Sequence, residues 1–142
     1  MQNHEMTKSK PQILICDDDI EFANEMVEAL GARGFPAAAL LTVSEVRAAI
    51  LSPSIILLDL CMPGRSGIEI LQLLSQHHRK GHFKVILVSG WDHETLDTAA
   101  KLCASLDIPL LGKFRKPVAL QLLFALLEET VMRERLGEAK AS

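Results

Sequence analysis

Three short apolar runs constrain this chain more than any other feature: Ile13-Leu14-Ile15-Cys16, Ile55-Ile56-Leu57-Leu58 and Val85-Ile86-Leu87-Val88. Each lacks polar alternation and is too short for a buried helix, so each reads as a strand covered on both faces, as at the centre of a parallel sheet. Each also ends abruptly in polar residues. Asp17-Asp18-Asp19 follow the first, Asp59 the second and Ser89-Gly90 the third. In open α/β sheets ligands bind at the carboxyl ends of the strands, so these endings are the first candidates for a site.

Between the runs the apolar spacing becomes helical. Ile20, Ala23, Met26, Val27 and Leu30 predict a first helix, with Gly31 and Gly34 as its stop signals. Phe35 to Leu41 is a weaker strand candidate, placed at a sheet edge by Pro36, which lacks an N–H to donate. Ser44 is positioned to cap a short helix through Leu51, which Pro53 breaks. A third helix opens at Ser66 or Gly67 and carries Ile68, Leu71 and Leu74 on one face; a fourth spans His93 to Leu106. Leu110 to Phe114 reads as a fifth strand closed by Arg115-Lys116-Pro117, and a last helix runs from Val118 to about Arg135. Alternating strands and helices with short connections imply an α/β fold: a three-layer α/β/α sandwich around a five-stranded parallel sheet with right-handed crossovers. No GxGxxG or GxxxxGK[ST] loop follows any strand, so neither a dinucleotide fold nor a P-loop nucleoside triphosphatase is supported.

At 142 residues, with 49% apolar and 23% charged residues, the chain suffices for one domain with one core. A net charge of -3 and no Lys/Arg stripe argue against direct nucleic-acid binding. The polar start, residues 1–10, reads as a disordered lead without a secretory core. Val118 to Leu127 is half the length a membrane span needs, so a cytoplasmic protein without membrane insertion is expected. Cys16, Cys61 and Cys103 are far apart and form no CxxC pair, which indicates reduced thiols. His77, His78, His82 and His93 lack ligand partners at useful spacing and are expected to be solvated.

If the strands are parallel, Asp17, Asp18, Asp59, Ser89 and Lys116 converge on one sheet edge from four strands. Taken singly, each has a plain structural role as a helix cap, a turn residue or a surface cation. Together they suggest chemistry. Crowded carboxylates raise one another's pKa unless a cation neutralises them, and hard oxygen donors without His or thiolate select Mg²⁺, or Mn²⁺, over zinc. Mg²⁺ sites of that kind commonly include a phosphate oxygen, so a phosphoryl group is implied.

The acidic pair after Ile13-Leu14-Ile15-Cys16, the Asp59-Leu60-Cys61-Met62-Pro63-Gly64-Arg65-Ser66-Gly67 stretch, the strand-end Ser89 and Lys116-Pro117 together resemble the receiver domain of two-component response regulators. The resemblance covers residues 11–132. It implies a flavodoxin-like sheet in the order 2-1-3-4-5, with 133–142 left as a C-terminal tail or the start of a linker. It also implies that Asp59 is the phosphoacceptor, Asp18 a direct Mg²⁺ ligand, Asp17 a ligand mainly through water, and the backbone carbonyl of Cys61 a further ligand. Ser89 then hydrogen-bonds the phosphoryl group, Lys116 pairs with one of its oxygens, and the donor is a sensor histidine kinase or a phosphotransfer protein. Such a domain catalyses only its own phosphorylation and dephosphorylation.

The chain departs from the family pattern at Lys113, where an aromatic switch residue is usual, with Phe114 on the opposite strand face. Switching is therefore expected to run through the Ser89 loop and the last two helices. The positions two beyond the phosphoacceptor and two beyond the switch hydroxyl are Cys61 and Trp91, and the bulky Trp91 is expected to shield the acyl phosphate. The last helix carries Val118, Leu120, Leu122, Leu123, Phe124, Leu126, Leu127 and Val131, too wide a set for one stripe, which suggests a homodimer through that helix. Two alternatives are a haloacid-dehalogenase-like phosphatase and a scaffold that works without phosphorylation. The first requires Thr or Ser at Glu21 and leaves Asp59 without a role.

Overall fold

Side chains alternate across the sheet with a period of two, and that alternation builds two cores. Leu14, Cys16, Ile56, Leu58, Val85 and Leu87 are buried on one face, and Ile13, Ile15, Ile55, Leu57, Ile86 and Val88 on the other. The computed structural model describes residues 10–61, 67–76, 82–90 and 93–141. Five strands form one parallel sheet: β1 (Gln12–Cys16), β2 (Ala37–Leu40), β3 (Ser54–Asp59), β4 (Phe83–Ser89) and β5 (Leu110–Arg115). Their order is β2-β1-β3-β4-β5, as the resemblance implies. The second strand is an edge strand, in keeping with Pro36 at its entrance. Five helices complete the fold: α1 (Ile20–Ala32), α2 (Val43–Ala49), α3 (Gly67–Ser75), α4 (His93–Ser105) and α5 (Leu120–Ala141). Residues of α2, α3 and α4 cover the Leu14 face; those of α1 and α5 cover the Ile13 face.

The three aspartates after β1 divide their work. Asp19 caps α1, its Oδ1 accepting from the Phe22 N–H at 3.1 Å, so the cap leaves Asp17 and Asp18 for the sheet edge. At the other end of α1 the N–H of Gly34 reaches Gly31 O and that of Phe35 reaches Leu30 O, a Schellman closure with Gly34 at φ 84°. The same closure ends α4, where Asp107 takes the left-handed position and Ile108 N–H bonds Cys103 O.

Three expectations about local boundaries are corrected. Thr42, not Ser44, caps α2: its hydroxyl accepts from Glu45 N–H at 3.1 Å, and the Glu45 carboxylate accepts from Leu41 N–H, which places Ser44 inside the first turn. The last helix begins at Leu120 rather than Val118, and Ala119 O accepts from the N–H groups of Leu122 and Leu123. It also continues to Ala141, beyond the expected end near Arg135. The Lys84–Glu134 ion pair ties it to β4 past Val131, and an Arg133–Glu129 pair of 2.6 Å supports the turn in between. The expected polar lead over 1–9, the turn residues Met62 to Ser66, His77, His78 and Trp91 lie outside the described residues.

Candidate phosphoacceptor site

Register brings the candidate residues together. Cys16 pairs with Leu58 across β1 and β3, Asp59 with Val88 across β3 and β4, and Ser89 with Arg115 across β4 and β5. Asp17, Asp59, Ser89 and Lys116 therefore leave the sheet at the same edge. Two further bonds hold that edge together: Leu60 N–H donates to Val88 O at 3.0 Å and Lys116 N–H to Ser89 O at 2.9 Å.

Asp59 is 4% exposed and Asp17 3%, whereas Asp18 faces solvent. Carboxylate oxygens of Asp17, Asp18 and Asp59 all lie within 4.8 Å of one another. The Lys116 Nζ stands 2.8 Å from Asp17 Oδ2 and 3.4 Å from Asp59 Oδ2. Beneath it lies the Phe22 ring, with the ammonium 4.4 Å from the ring centroid. When all are ionised, three carboxylates and one ammonium leave a formal charge of −2, which one divalent cation balances. The donor set is all oxygen, it offers more than one carboxylate, and it retains an exposed side at Asp18, so the residues fit Mg²⁺.

The electrostatics record the same crowding. Burial pushes the Asp17 carboxyl above the ordinary aspartate value, and the charge of Asp59 adds to this, while Lys116 and the Asp19 N–H act against it. Burial tends to lower the Lys116 ammonium, but its bond to Asp17 and the charges of Asp59 and Asp17 outweigh that and hold it above its usual value. Lys116 is thus kept charged between two carboxylates.

Asp17, Asp18, Asp59, Cys61, Ser89 and Lys116 are all at this edge, Trp91 lies outside the described residues, and two further contributions come from the tertiary structure. Phe22, in the first turn of α1, forms the floor under Lys116; an aromatic three residues past a capping Asp was the available signal. The Cys61 residue does more than offer a carbonyl: its N–H donates to Asp59 Oδ1 at 3.0 Å, and its Sγ lies 3.2 Å from Ser89 Oγ. Lys113 is exposed on β5 and pairs with Asp97 of α4 at 2.8 Å, which holds that carboxyl below its usual range. Phe114, on the other face of the strand, packs against the α1/α5 core.

Residues 13–128 match the family model of the response regulator receiver domain. The chain belongs to that family, a class of signalling domain. Solved structures repeat the fold over nearly their whole length. A response regulator from Colwellia psychrerythraea is 28% identical, with a TM-score of 0.72 over 88% of this chain and 99% of that one. A CheY-like receiver domain from Methanospirillum hungatei JF-1 is 22% identical, with a TM-score of 0.69 over 91% and 99%. A response regulator receiver protein from Pseudomonas putida, also 22% identical, gives 0.70 over 87% and 99%. The latter two speak to the fold alone. No curated protein matches by sequence. Among the described residues no helix is long and apolar enough to cross a membrane.

Proposed function

We propose that this domain is a cytoplasmic phosphorelay receiver over residues 11–132, in which Asp59 accepts a phosphoryl group from a phosphohistidine of a sensor histidine kinase or phosphotransfer protein. The observation that carries this is a buried strand-end carboxylate, Asp59, flanked by two more carboxylates and the Lys116 ammonium. An Asp59 oxygen attacks phosphorus, the bond to the donor imidazole nitrogen breaks, and the imidazole leaves. Transfer of this kind depends on positioning and charge stabilisation, which rigid neighbours supply. Asp18, Asp59 and the Cys61 carbonyl would hold Mg²⁺, with Asp17 acting through water. When bound, the ion neutralises the phosphoryl oxygens and brings them to the carboxylate. Lys116 turns from Asp17 to a phosphoryl oxygen, and the Ser89 hydroxyl donates to another. The acyl phosphate then adds negative charge at the ends of β3, β4 and β5, and the Ser89 loop and last two helices respond. The donor reaches Asp59 past the start of α1, where Phe22, Met26, Pro117 and Val118 line an apolar cavity of about 230 Å³ beside Lys116.

The second partner in this reading is another copy of the chain. Leu122, Ala125, Met132 and Leu136, with Glu129 among them, recur at three- and four-residue spacing on the α5 face opposite buried Leu123, Leu127 and Val131. Leu122 is 64% exposed, Met132 57% and Leu136 55%, a stripe suited to a helix of the same kind. Glu128 and Arg135 border it on one side, so two copies packed antiparallel bring opposite charges together.

The decisive test adds Mg²⁺ with beryllofluoride or a small phosphodonor and follows the fluorescence of Trp91, the single tryptophan. A saturable change is expected in the parent and none in Asp59→Asn; equal responses would reject the phosphoacceptor role. Sedimentation that stays monomeric at every concentration would reject the dimer.

A further inference from the structure

One residue touches both the nucleophile and the hydroxyl that is to meet the phosphoryl group. Cys61 donates its N–H to Asp59 Oδ1 at 3.0 Å, and its half-buried Sγ stands 3.2 Å from the Oγ of fully buried Ser89. We infer that the Cys61 side chain is a positioning residue, whose thiol donates to Ser89 Oγ and so leaves the hydroxyl's single proton for an oxygen of the phosphoryl group. This rests on the phosphoacceptor role of Asp59.

The direction of the thiol bond follows from what each atom can offer. A serine hydroxyl has one proton and two lone pairs, whereas a thiol is both a weak donor and a weak acceptor. Hydrogen bonds to an anionic oxygen are about twice as strong as neutral ones, so a phosphoryl oxygen outcompetes sulfur for the Ser89 proton. With that proton committed, sulfur holds its place beside Ser89 only as a donor. The result is a chain from Cys61 S–H to Ser89 O–H to phosphoryl oxygen, in which each bond polarises the next. Cys61 thereby fixes the rotamer of Ser89 and strengthens its donation, while its N–H orients Asp59. A side chain lacking a donor at position 61 forfeits the first of these effects and keeps the second.

The S–H stretching band tests this directly, because it lies clear of other protein absorption and falls in frequency as the thiol donates. Cys16 and Cys103 are both buried, and a Cys61→Ala difference spectrum separates the third thiol from them. In the full chain, Ser89→Ala is expected to raise the Cys61 band, and Mg²⁺ with beryllofluoride to lower it in the parent. Cys61→Ala is expected to bind beryllofluoride about fivefold more weakly, the effect of one lost hydrogen bond, and Cys61→Ser to restore most of the affinity. An upward shift on adding beryllofluoride means that Ser89 abandons the thiol, and this overturns the inference. So does a Cys61→Ala affinity equal to the parent's, or a Cys61→Ser variant no better than Cys61→Ala. Failure of the parent to bind beryllofluoride at all overturns the phosphoacceptor role as well, which distinguishes the two failures.

Discussion

The two strands that bring opposite charges to the site, β3 and β5, are built in contrasting ways. Every residue of β3 from Ser54 to Asp59 is buried, whereas no residue of β5 is: Leu110 to Gly112 and Phe114 are half-buried, and Lys113 and Arg115 are exposed. The first is a central strand with neighbours on both sides; the second is an edge strand joined to β4 through a register shift between Val85 and Ile86. Asp59 is thus mounted at the end of a fully buried strand and its counter-ion Lys116 just past a partly exposed one. In the proposed reading, where the position of Asp59 sets the chemistry and Lys116 changes partners, that is the useful division.

The largest expected effect of this contrast is on stability. Ile56→Ala removes a fully buried side chain from β3 and should cost about 2–5 kcal/mol in urea unfolding. Lys113→Ala on β5 removes only an exposed ion pair and should leave the urea midpoint where it was. Comparable losses for the two would erase the distinction between the strands.

Glycines at the two strands sharpen it further. A Cβ on Gly67 would lie 3.2 Å from both Asp59 O and Leu60 Cα, backbone that cannot give way, so Gly67→Ala should cost about 1–3 kcal/mol and weaken beryllofluoride binding. On β5 a Cβ at Gly112 would meet side-chain atoms alone, the Leu126 Cδ2 at 3.0 Å and the Phe114 ring at 3.7 Å, and a side-chain methyl can move. Gly112→Ala should change stability by no more than about 1 kcal/mol, and a collapse of that variant would show β5 to be as rigid as β3.

At the site itself, Lys116→Met should move two affinities in opposite directions. Bare Mg²⁺ should bind several-fold more tightly once a competing cation is gone, and beryllofluoride more weakly once its ammonium partner is gone; titration calorimetry reads both. Because the Asp17 carboxyl is raised above 3.8, protons compete with the metal from above that pH, so Mg²⁺ affinity should fall as the solution is acidified toward it. An affinity flat across that range would separate Asp17 from the metal. The smallest effect is alkaline. Lys116 is raised above 10.5, so its stabilisation is complete below that pH and is lost as the pH climbs through its folded-state value. Lys116→Met should flatten that limb of the stability curve.

Much of this was legible in the order of residues. The runs ending at Cys16, Leu58 and Val88 were recognisable as buried strands because they need no partner to show their composition. Polar groups follow these runs at once, which makes Asp17, Asp18, Asp59 and Ser89 candidates from the sequence alone, and Lys116 closes the fifth strand in the same way. Helix ends were less legible, since Thr42 and Ser44 are both competent caps and the structure selects Thr42, whose backbone is extended and whose hydroxyl accepts from Glu45 N–H. The end of α5 is less legible too, because beyond Val131 charged residues interrupt the apolar spacing; Glu134 there is tethered to Lys84, fifty positions away in sequence.

By itself, then, the sequence determined the element types, the sheet's burial on both faces and the chemistry available at the strand ends, all of which depend on local composition and spacing. Only the tertiary structure decided which atoms meet. The sharing of Lys116 between Asp17 and Asp59, the Phe22 ring beneath that ammonium and the thiol of Cys61 against Ser89 each join residues from different elements. Such contacts are set by parallel register and side-chain rotamer within a packed sheet, and neither is encoded in any single stretch of the chain.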